Sequence, residues 1–440
     1  MVLVIFLNII VYIYSFYVLK RLKGIKYNVP YTLSILLFFI YSFLTPLYFY
    51  LSDRAAIFDD NPYLYGQGRS IIDFYTIGIL HLTIANLLFV FGYFSFRVKK
   101  PNRKSSSYLV NPEKKSLYLF LFCFTMVLIS YFTTNVNPLA VALGSSDASL
   151  VQLSGVSNNY LKNFADSMIS TLIFLFYFKY EKRLLVALTL ISFVLFTLMG
   201  FRYRIIITLL GYIFVYVTRN KLKIKTALIY SLIITVFSYI ILFITYNRLR
   251  LTNASYGDVV YDVTEILDPS LIFEQTRGGL DDITIMKYYD EVSDAPYDYG
   301  LTFLYVFVRI LPRSLVGSEY KNSLYPPPAF LTIKEAYGMP EQVADAAGET
   351  PLHYAYFVIS FGIIGLYALS LLMGILIKYF TFKNDSDTPI GFLANVVIAL
   401  ALFQYITRGY FPAFVDTLAY MLVPIWLLTK LTNNKNQISV

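Results

Sequence analysis

Two arginines, Arg202 and Arg204, stand in the stretch MGFRYRIIITLLGY, between two strongly apolar runs. A guanidinium group presents a planar fork of donors that binds a phosphate or a carboxylate through two parallel hydrogen bonds. Gly200 permits a tight reversal of the chain just before the pair. Residues two apart share one face of an extended segment, so Arg202 and Arg204 are predicted to clamp a diphosphate at the tip of an apolar hairpin. The alternative is that both side chains extend toward lipid headgroups.

A second group that could do chemistry lies late in the chain, in the stretch ADAAGETPLHYAYFVISFGIIGL. Glu349 and His353 are four residues apart and would share one face of a helix, whose first turn tolerates Pro351. A histidine titrates near neutral pH and can take a proton from an attacking hydroxyl, while a carboxylate orients it. The pair is therefore predicted to act as a general base. His81, the other of the two histidines, lies inside an apolar run and is interpreted as a neutral, hydrogen-bonded core residue.

Further side chains are candidates for binding the same anionic group. The set comprises Arg277, Arg309, Arg313, Arg408 and Tyr410. The alternative for each arginine is an ordinary surface ion pair with a nearby acid. No metal site is predicted, because no His/Asp cluster has ligand spacing. Glycine-rich nucleotide-binding loops are also missing from the sequence.

The composition shows which elements must position these groups. Hydrophobic residues make up 57% of the 440-residue chain, charged residues only 14%, and the mean hydropathy is +0.60. A soluble domain is about a quarter charged. Continuous apolar runs of about 20 residues predict membrane-spanning helices and argue against a β-barrel, whose strands alternate with period two. The single cysteine, Cys123, excludes a disulfide within the chain.

The predicted fold is an all-α polytopic membrane protein with about eleven transmembrane helices. The spans are expected at 2–19, 31–51, 71–96, 116–134, 163–180, 184–200, 205–217, 226–246, 355–377, 389–406 and 414–429. Basic stretches such as KRLKGIK, RVKKPNRK and RNKLKIK fall on alternate connections, and basic connections face the cytoplasm. The N-terminus is therefore predicted outside and the C-terminus inside.

Arginine and lysine are divided unequally between the two predicted sides. Lysine predominates on the inner side and arginine on the outer side, although a topology signal needs only positive charge. The outer arginines therefore suggest a site for phosphate or acidic groups. The net charge of +9 is explained by topology and gives no reason to predict nucleic-acid binding.

Three regions follow one another along the chain. Residues 1–246 are predicted to form an N-terminal bundle of about eight spans, 247–354 a large outer loop, and 355–440 about three further spans. Loops of this length are usually functional. Within the loop, 281–291 is expected to form a short amphipathic helix. The segment 301–311 is too short to span and too apolar for an exposed loop, so it is predicted to be a re-entrant or interfacial helix.

This layout resembles the Wzy-type polymerases, which join the oligosaccharide repeat units of O-antigen and related surface polysaccharides. The resemblance rests on the number of spans, the large loop late in the chain and an arginine that opens a span in GFRYRIIITLLG. It also rests on GETPLHYAYFVISFGIIG, a small-residue turn followed by a span with paired glycines. The stretch from His353 to Gly365 is similar to a histidine-glycine setting in the related O-antigen ligases.

The resemblance implies a GT-C-like glycosyltransferase of the bacterial inner membrane, with the large loop and the N-terminus in the periplasm and the C-terminus in the cytoplasm. It implies undecaprenyl-diphosphate-linked oligosaccharides as substrates, and neither a metal nor another cofactor. Arginines would stabilise the leaving diphosphate, and His353 or Glu349 would act as base on the acceptor hydroxyl. Implied partners are these lipid-linked substrates and membrane lipids, with a chain-length regulator left open and no nucleic acid.

Three other functions share some of these features. An O-antigen ligase, or another polyprenyl-phosphate-dependent glycosyltransferase, differs only in its acceptor. A lipid-linked oligosaccharide flippase should show repeat symmetry and polar groups at mid-membrane, whereas the charges of this chain gather outside the predicted spans. A non-catalytic scaffold would use the large loop only to bind a partner, and clustered arginine at several outer segments argues against it weakly.

Overall fold

The computed structural model describes residues 1–21, 24–52, 71, 73–98, 109–133, 159–198, 203–220, 273, 276–310 and 351–432. Within these ranges the regular structure is helical and contains no strand. The main helices are α1 (Val2–Arg21), α2 (Val29–Leu51), α3 (Tyr75–Ser95), α4 (Pro112–Thr133), α5 (Phe164–Tyr177), α6 (Lys182–Leu198), α7 (Tyr203–Arg219), α8 (Gly278–Glu291), α9 (Leu301–Ile310), α10 (His353–Lys383), α11 (Pro389–Arg408) and α12 (Phe411–Thr432). A short helix, Asn159–Lys162, and a 3-10 turn, Ile25–Tyr27, accompany them.

The protein is a helical membrane protein. In the described part of the chain, six helices are long and apolar enough to cross a bilayer: α1, α2, α3, α10, α11 and α12. Each predicted span coincides with a helix, except the eighth, 226–246, which lies outside the described residues. Hydropathy locates these helices well, because a segment in lipid needs a continuous run of apolar side chains and a backbone that is hydrogen-bonded within the segment.

The chain forms two compact units. The first consists of Met1–Pro101, Phe273–Ser386 and Ala401–Val415. The second consists of Asn102–Ile272, Asp387–Leu400 and Asp416–Val440. His353, Arg277 and Arg408 belong to the first unit, and Arg204 belongs to the second.

Helices α3 and α10 pack closely in the first unit because glycine stands at the contact on both sides. A Cβ atom at Gly92 would overlap the carbonyl oxygen of Leu371, and one at Gly374 would overlap the carbonyl oxygen of Phe89. Small residues of this kind let membrane helices approach at backbone distance, where packing rather than the hydrophobic effect stabilises the contact.

Replacing Gly374 with alanine is therefore expected to destabilise the first unit by about 1–3 kcal/mol, the usual range for overpacking. Thermal melting of the purified protein in detergent would measure the loss. Leu372→Ala is the matched control, since Leu372 lies on the same helix with an exposed side chain. Equal melting temperatures for Gly374→Ala and the wild type would contradict the packing argument.

Two features break the regularity of the long helices. In α2 the segment Phe39–Leu44 forms a π-helical turn, an irregularity common at functional sites. In α10 the helical dihedral angles are interrupted at Phe361 and Gly362, where Gly362 has a φ of 66°. Near this break the amide of Asp298 donates a hydrogen bond of 3.0 Å to the carbonyl of Ile359. Side-chain oxygens of Asp298 in turn cap the start of α9.

The two short helices predicted in the large loop are present, with one difference. The predicted helix at 281–291 begins earlier, at Gly278. It is not amphipathic, because every residue from Gly278 to Tyr288 is buried. The cause is tertiary packing against α10 and the π-helical turn, which covers the polar as well as the apolar side. The predicted helix at 301–311 is α9, and its exposed large side chains, Leu301, Leu304 and Phe307, follow a three-residue repeat.

Candidate functional site

Two other segments of the first unit converge on the start of α10. At the first, a Cβ atom at Gly278 would lie 2.6 Å from Leu352 Cδ2. At the second, a Cβ atom at Gly409 would lie 2.6 Å from the Leu352 carbonyl oxygen. Gly409, with φ of 64°, follows the last residue of α11, and only glycine adopts this left-handed conformation readily. The contact points therefore place two chain segments, the start of α8 and the residues after α11, beside the N-terminus of α10.

This convergence brings together four of the residues predicted from the sequence. Arg277 is the N-cap of α8, Arg408 is the last residue of α11, Tyr410 follows Gly409, and His353 is the first residue of α10. Arg408 is exposed, and Arg277 and Tyr410 are partly exposed. Two arginines therefore lie on segments that meet at a helix N-terminus, which itself favours negative charge.

The charge of Arg408 interacts with the π-helical turn of α2. Its charge is close enough to influence the Tyr41 hydroxyl. The carbonyl of Tyr41, in turn, is the group that a Cβ atom at Gly279 would overlap. The glycine pair at the start of α8 thus allows that helix to pack directly on the π-helical turn, and Tyr41 is a neighbour common to α8 and Arg408.

His353 is completely enclosed by aromatic side chains. Its ring lies parallel to that of Phe38 at a centroid distance of 5.4 Å, and it contacts Tyr354 at 3.9 Å, Phe357 at 5.4 Å and Tyr405 at 5.6 Å. Neither ring nitrogen has a partner with hydrogen-bond geometry, although the backbone carbonyl of Ile406 lies close. An unpaired buried polar group costs about 1–3 kcal/mol, and native proteins keep few of them. Such a cost is typical of a functional position rather than a structural one.

A buried polar network holds the residue after this histidine. The Tyr354 hydroxyl donates a hydrogen bond to Asn86 Oδ1. Asn86 Nδ2 donates in turn to the Tyr12 hydroxyl at 3.2 Å and to Ser42 Oγ at 3.1 Å. Ser42 lies in the π-helical turn. The network links four helices, α1, α2, α3 and α10, and fixes the direction in which the first turn of α10 faces.

Asp282 is a site residue that was not predicted from the sequence. Its side chain is fully buried, and its Oδ1 accepts a hydrogen bond of 3.2 Å from the amide of Ala355. Its Oδ2 has no partner. Burial, and secondarily the charge of Asp281, raise the pKa of Asp282 well above its usual range, while the amides of Ala355 and Leu352 act in the opposite direction. The sequence held no signal for it, since adjacent helical residues point about 100° apart and both members of the pair Asp281-Asp282 could face solvent on a helix packed on one side.

The second unit places Arg204 differently from the prediction. Arg204 is the second residue of α7, so it is helical rather than part of an extended tip. Its Nε donates a hydrogen bond of 2.7 Å to Asp166 Oδ1, and the side chains are only 3% and 5% exposed. Asp166 lies in the first turn of α5. Arg204 therefore forms a buried ion pair, which accounts for its burial without any ligand.

Glu349, Arg202 and Arg313 lie outside the described residues, and Arg309 lies in α9. The helix that carries His353 begins after Pro351, with Leu352 as its N-cap, so Pro351 precedes the helix rather than entering its first turn.

Two further expectations concern the other histidine and metal binding. His81 Nδ1 lies 2.6 Å from the Tyr367 hydroxyl, which confirms the prediction of a hydrogen-bonded histidine. Over the described ranges, no group of three or more His, Cys, Asp or Glu side chains is arranged to hold a metal ion. Cys123 is buried and free.

The sequence was compared with known families, curated proteins and solved structures. A family model described as O-antigen polysaccharide polymerase Wzy matches residues 1–271. The matched region includes Arg202 and Arg204, and His353 follows it in the chain. No match was found among curated proteins or among solved structures.

Proposed function

The chain belongs to the O-antigen polysaccharide polymerase Wzy family, and from this premise we propose that it joins undecaprenyl-diphosphate-linked oligosaccharide repeat units by glycosyl transfer at the periplasmic face of the inner membrane. The family match over residues 1–271 carries the proposal. The convergence of Arg277, Arg408 and His353 on one helix start supports it, because the reaction needs cations for a diphosphate and a base for a hydroxyl.

The proposed reaction is a single displacement of a lipid diphosphate. A hydroxyl of the incoming lipid-linked unit attacks the anomeric carbon of the growing chain, and the bond from that carbon to the diphosphate oxygen breaks. His353 takes the hydroxyl proton, oriented by Glu349, while undecaprenyl diphosphate leaves with the bonding electron pair. Arg277 and Arg408 would stabilise the negative charge on the leaving group.

The enclosure of His353 adds a requirement to this mechanism. A base must come within hydrogen-bond distance of the proton that it abstracts, and the rings of Phe357 and Tyr405 now cover the imidazole. Substrate binding must therefore separate these rings. Closure in the absence of substrate would keep water away from the base, as lids do in many transferases.

The other predicted site residues have proposed roles around this centre. Tyr410 would hydrogen-bond a sugar or phosphate oxygen beside Arg408. Arg202, Arg204, Arg309 and Arg313 are proposed to bind substrate phosphate or acidic sugars, Arg204 only if its ion pair with Asp166 opens. No metal and no other cofactor takes part in the proposed reaction.

The proposed architecture is GT-C-like. It comprises about eleven spans, with the N-terminus in the periplasm and the C-terminus in the cytoplasm. The regions 1–246 and 355–440 would form the transmembrane part, and 247–354 the periplasmic loop. Within that loop α9 would lie in the membrane interface or re-enter it, with Leu304 and Phe307 toward lipid. Membrane lipids and a chain-length regulator are the proposed partners beyond the substrates, and nucleic acid is not one.

Deletion of the gene in its host, followed by gel separation of the surface glycan, tests this function. We expect the long-chain ladder to disappear while a single repeat unit still reaches its carrier core, and a plasmid copy to restore the ladder. Accumulation of lipid-linked polymer with no repeat on the core would instead indicate a ligase. Single lipid-linked units trapped on the cytoplasmic side would indicate a flippase.

A further inference from the structure

We propose that Asp282 is the positioning residue of this site, because it holds the first turn of α10, the helix on which His353 is the first residue. The proposal rests on the role of His353 in the proposed function. Asp282 is not proposed to touch substrate. Its effect would be transmitted through the backbone amides that set where the imidazole lies.

The N-terminus of α10 is capped by a side chain from a different helix. A helix start leaves amides without partners, and the side chain of the N-cap residue normally accepts one of them. The N-cap of α10 is Leu352, which has no polar side chain. Asp282 Oδ1 takes that place from a different helix by accepting the amide of Ala355, at the third position of α10. His353 lies between the N-cap and the capped amide.

This cap requires α8 to approach α10 closely, and two glycines at the start of α8 allow that approach. Gly278 and Gly279 are the first two residues of α8, and a side chain at either would collide with Leu352 or with the Tyr41 carbonyl. The pair thus lets the start of α8 approach both α10 and the π-helical turn. Asp282 follows one turn later, at the depth where it meets the amide of Ala355.

Hydrogen bonds fix the two residues that follow His353, whereas the ring nitrogens of His353 are not fixed in this way. Asp282 holds the Ala355 amide, and Asn86 accepts from the Tyr354 hydroxyl. The imidazole nitrogens are buried and have no partner with hydrogen-bond geometry, although the Ile406 carbonyl lies close. The surroundings thus fix the backbone around His353 more firmly than its ring nitrogens.

The protonation state of Asp282 follows from its surroundings. Besides Asp282, the ionisable residues of α8 and its N-cap are Arg277, Asp281, Lys287, Tyr288, Tyr289, Asp290 and Glu291. The segments packed against α8 contribute Tyr41, Tyr48 and Tyr50 from α2, Tyr75, His81 and Tyr93 from α3, and His353, Tyr354, Tyr356, Tyr367, Lys378, Tyr379 and Lys383 from α10. Burial and Asp281 raise the pKa of Asp282, and the amides only partly offset them. Burial therefore favours the neutral acid over the carboxylate at this position. Because the pKa is raised, the neutral form is present at low pH and is lost as the pH rises through the raised value.

The experiment uses the purified full-length protein in liposomes, with lipid-linked repeat units extracted from the deletion host. The variants are Asp282→Asn, Asp282→Ala and, as matched control, Asp298→Ala. Asparagine has the shape of the neutral acid and keeps an acceptor oxygen. Asp298 is also a buried carboxylate that caps a helix, through the amides of Gly300 at 2.9 Å and Thr302 at 3.2 Å, but that helix is α9.

We expect Asp282→Asn to polymerise within about twofold of wild type and Asp282→Ala to be slower by roughly tenfold or more. The wild-type rate should fall on the alkaline side, where Asp282 ionises, and this fall should be absent in Asp282→Asn. Asp298→Ala should keep the wild-type pH profile, even if its folded yield is lower. A purely structural role would change the folded yield and leave the shape of the pH profile unchanged, so the pH profile separates positioning from general stability.

A second readout does not require activity. Diethylpyrocarbonate labelling with mass spectrometry reports whether each histidine is accessible, and the His81 site serves as internal reference. We expect His353 to be protected in the wild type and Asp282→Asn and to become reactive in Asp282→Ala. Where Asp282→Ala fails to fold, the comparison of Asp282→Asn with wild type still tests the proposal through the pH profile.

Three results would overturn the proposal. The first is that Asp282→Asn polymerises as slowly as Asp282→Ala. The second is that Asp282→Ala polymerises as fast as wild type with His353 still protected. The third is that the fall of the polymerisation rate at alkaline pH persists in Asp282→Asn. A wild-type protein that does not polymerise would instead contradict the proposed function. In that case the labelling of His353 would decide the positioning role by itself.

Discussion

Replacing His353 with phenylalanine is expected to abolish long-chain polymer while leaving the protein as stable as wild type, or more so. General-base catalysis contributes about 10²- to 10⁴-fold, which is the expected loss of rate. The stability expectation follows from the surroundings of the ring. His353 sits among Phe38, Phe357 and Tyr405, and neither nitrogen has a partner with hydrogen-bond geometry, although the Ile406 carbonyl lies close. An apolar ring of similar shape keeps these contacts and removes two unpaired buried polar atoms.

The measurement pairs glycan gels of the complemented deletion strain with thermal melting of the purified variant. His81→Phe is the matched control, since His81 is the other histidine and is hydrogen-bonded to Tyr367. It should lose some stability and keep the polymer. A His353→Phe protein that makes the full ladder would show that His353 is only a packing residue, and one that unfolds would show that its nitrogens are satisfied within the folded protein.

The second large effect concerns the buried ion pair of the second unit. Arg204→Met leaves Asp166 as a buried carboxylate without the Arg204 guanidinium, and such a change costs about 3–5 kcal/mol. Asp166→Leu, which leaves the guanidinium without that carboxylate, should cost a similar amount. The double variant, with two apolar side chains in place of the pair, should recover most of the loss, because neither desolvation penalty remains.

Folded yield in detergent and melting temperature would measure all three variants. The double variant also decides between the two roles of Arg204, since it restores folding without restoring the guanidinium. Full polymer from the double variant would mean that Arg204 is structural, and a stable protein without polymer would support the predicted diphosphate contact. Arg408→Met is the control, because Arg408 is exposed and its loss should lower polymer without lowering stability. Equal stability of Arg204→Met and wild type would contradict the ion-pair argument.

The sequence alone determined the membrane-spanning character of this protein and the positions of its helices in the described ranges. Both properties depend on the hydrophobicity of consecutive residues along the chain. A run of apolar side chains long enough to cross lipid must become a helix, whatever lies around it. The family was predictable for a related reason, since spans, loop length and the arginine that opens a span are read along the chain. The hydrogen-bonded state of His81 was also predictable, because a polar residue inside an apolar run must find a partner.

The tertiary structure decided which polar groups meet. Arg204 and Asp166 are 38 residues apart in sequence, and nothing local distinguishes an arginine that binds phosphate from one that neutralises a buried acid. The amphipathic helix expected at 281–291 is buried on all sides as far as Tyr288 for the same reason, since the cover comes from α10 and from the π-helical turn of α2.

Asp282 shows most clearly which properties only the tertiary structure decides. Its partner, the amide of Ala355, is 73 residues away and is a backbone atom, for which side-chain spacing contains no signal. The sequence could therefore nominate His353 from its residue type and its place before a span. Only the packing of α8 against the start of α10 could reveal the carboxyl group that holds this histidine in place, because burial and capping are properties of the assembled helices and not of either segment alone.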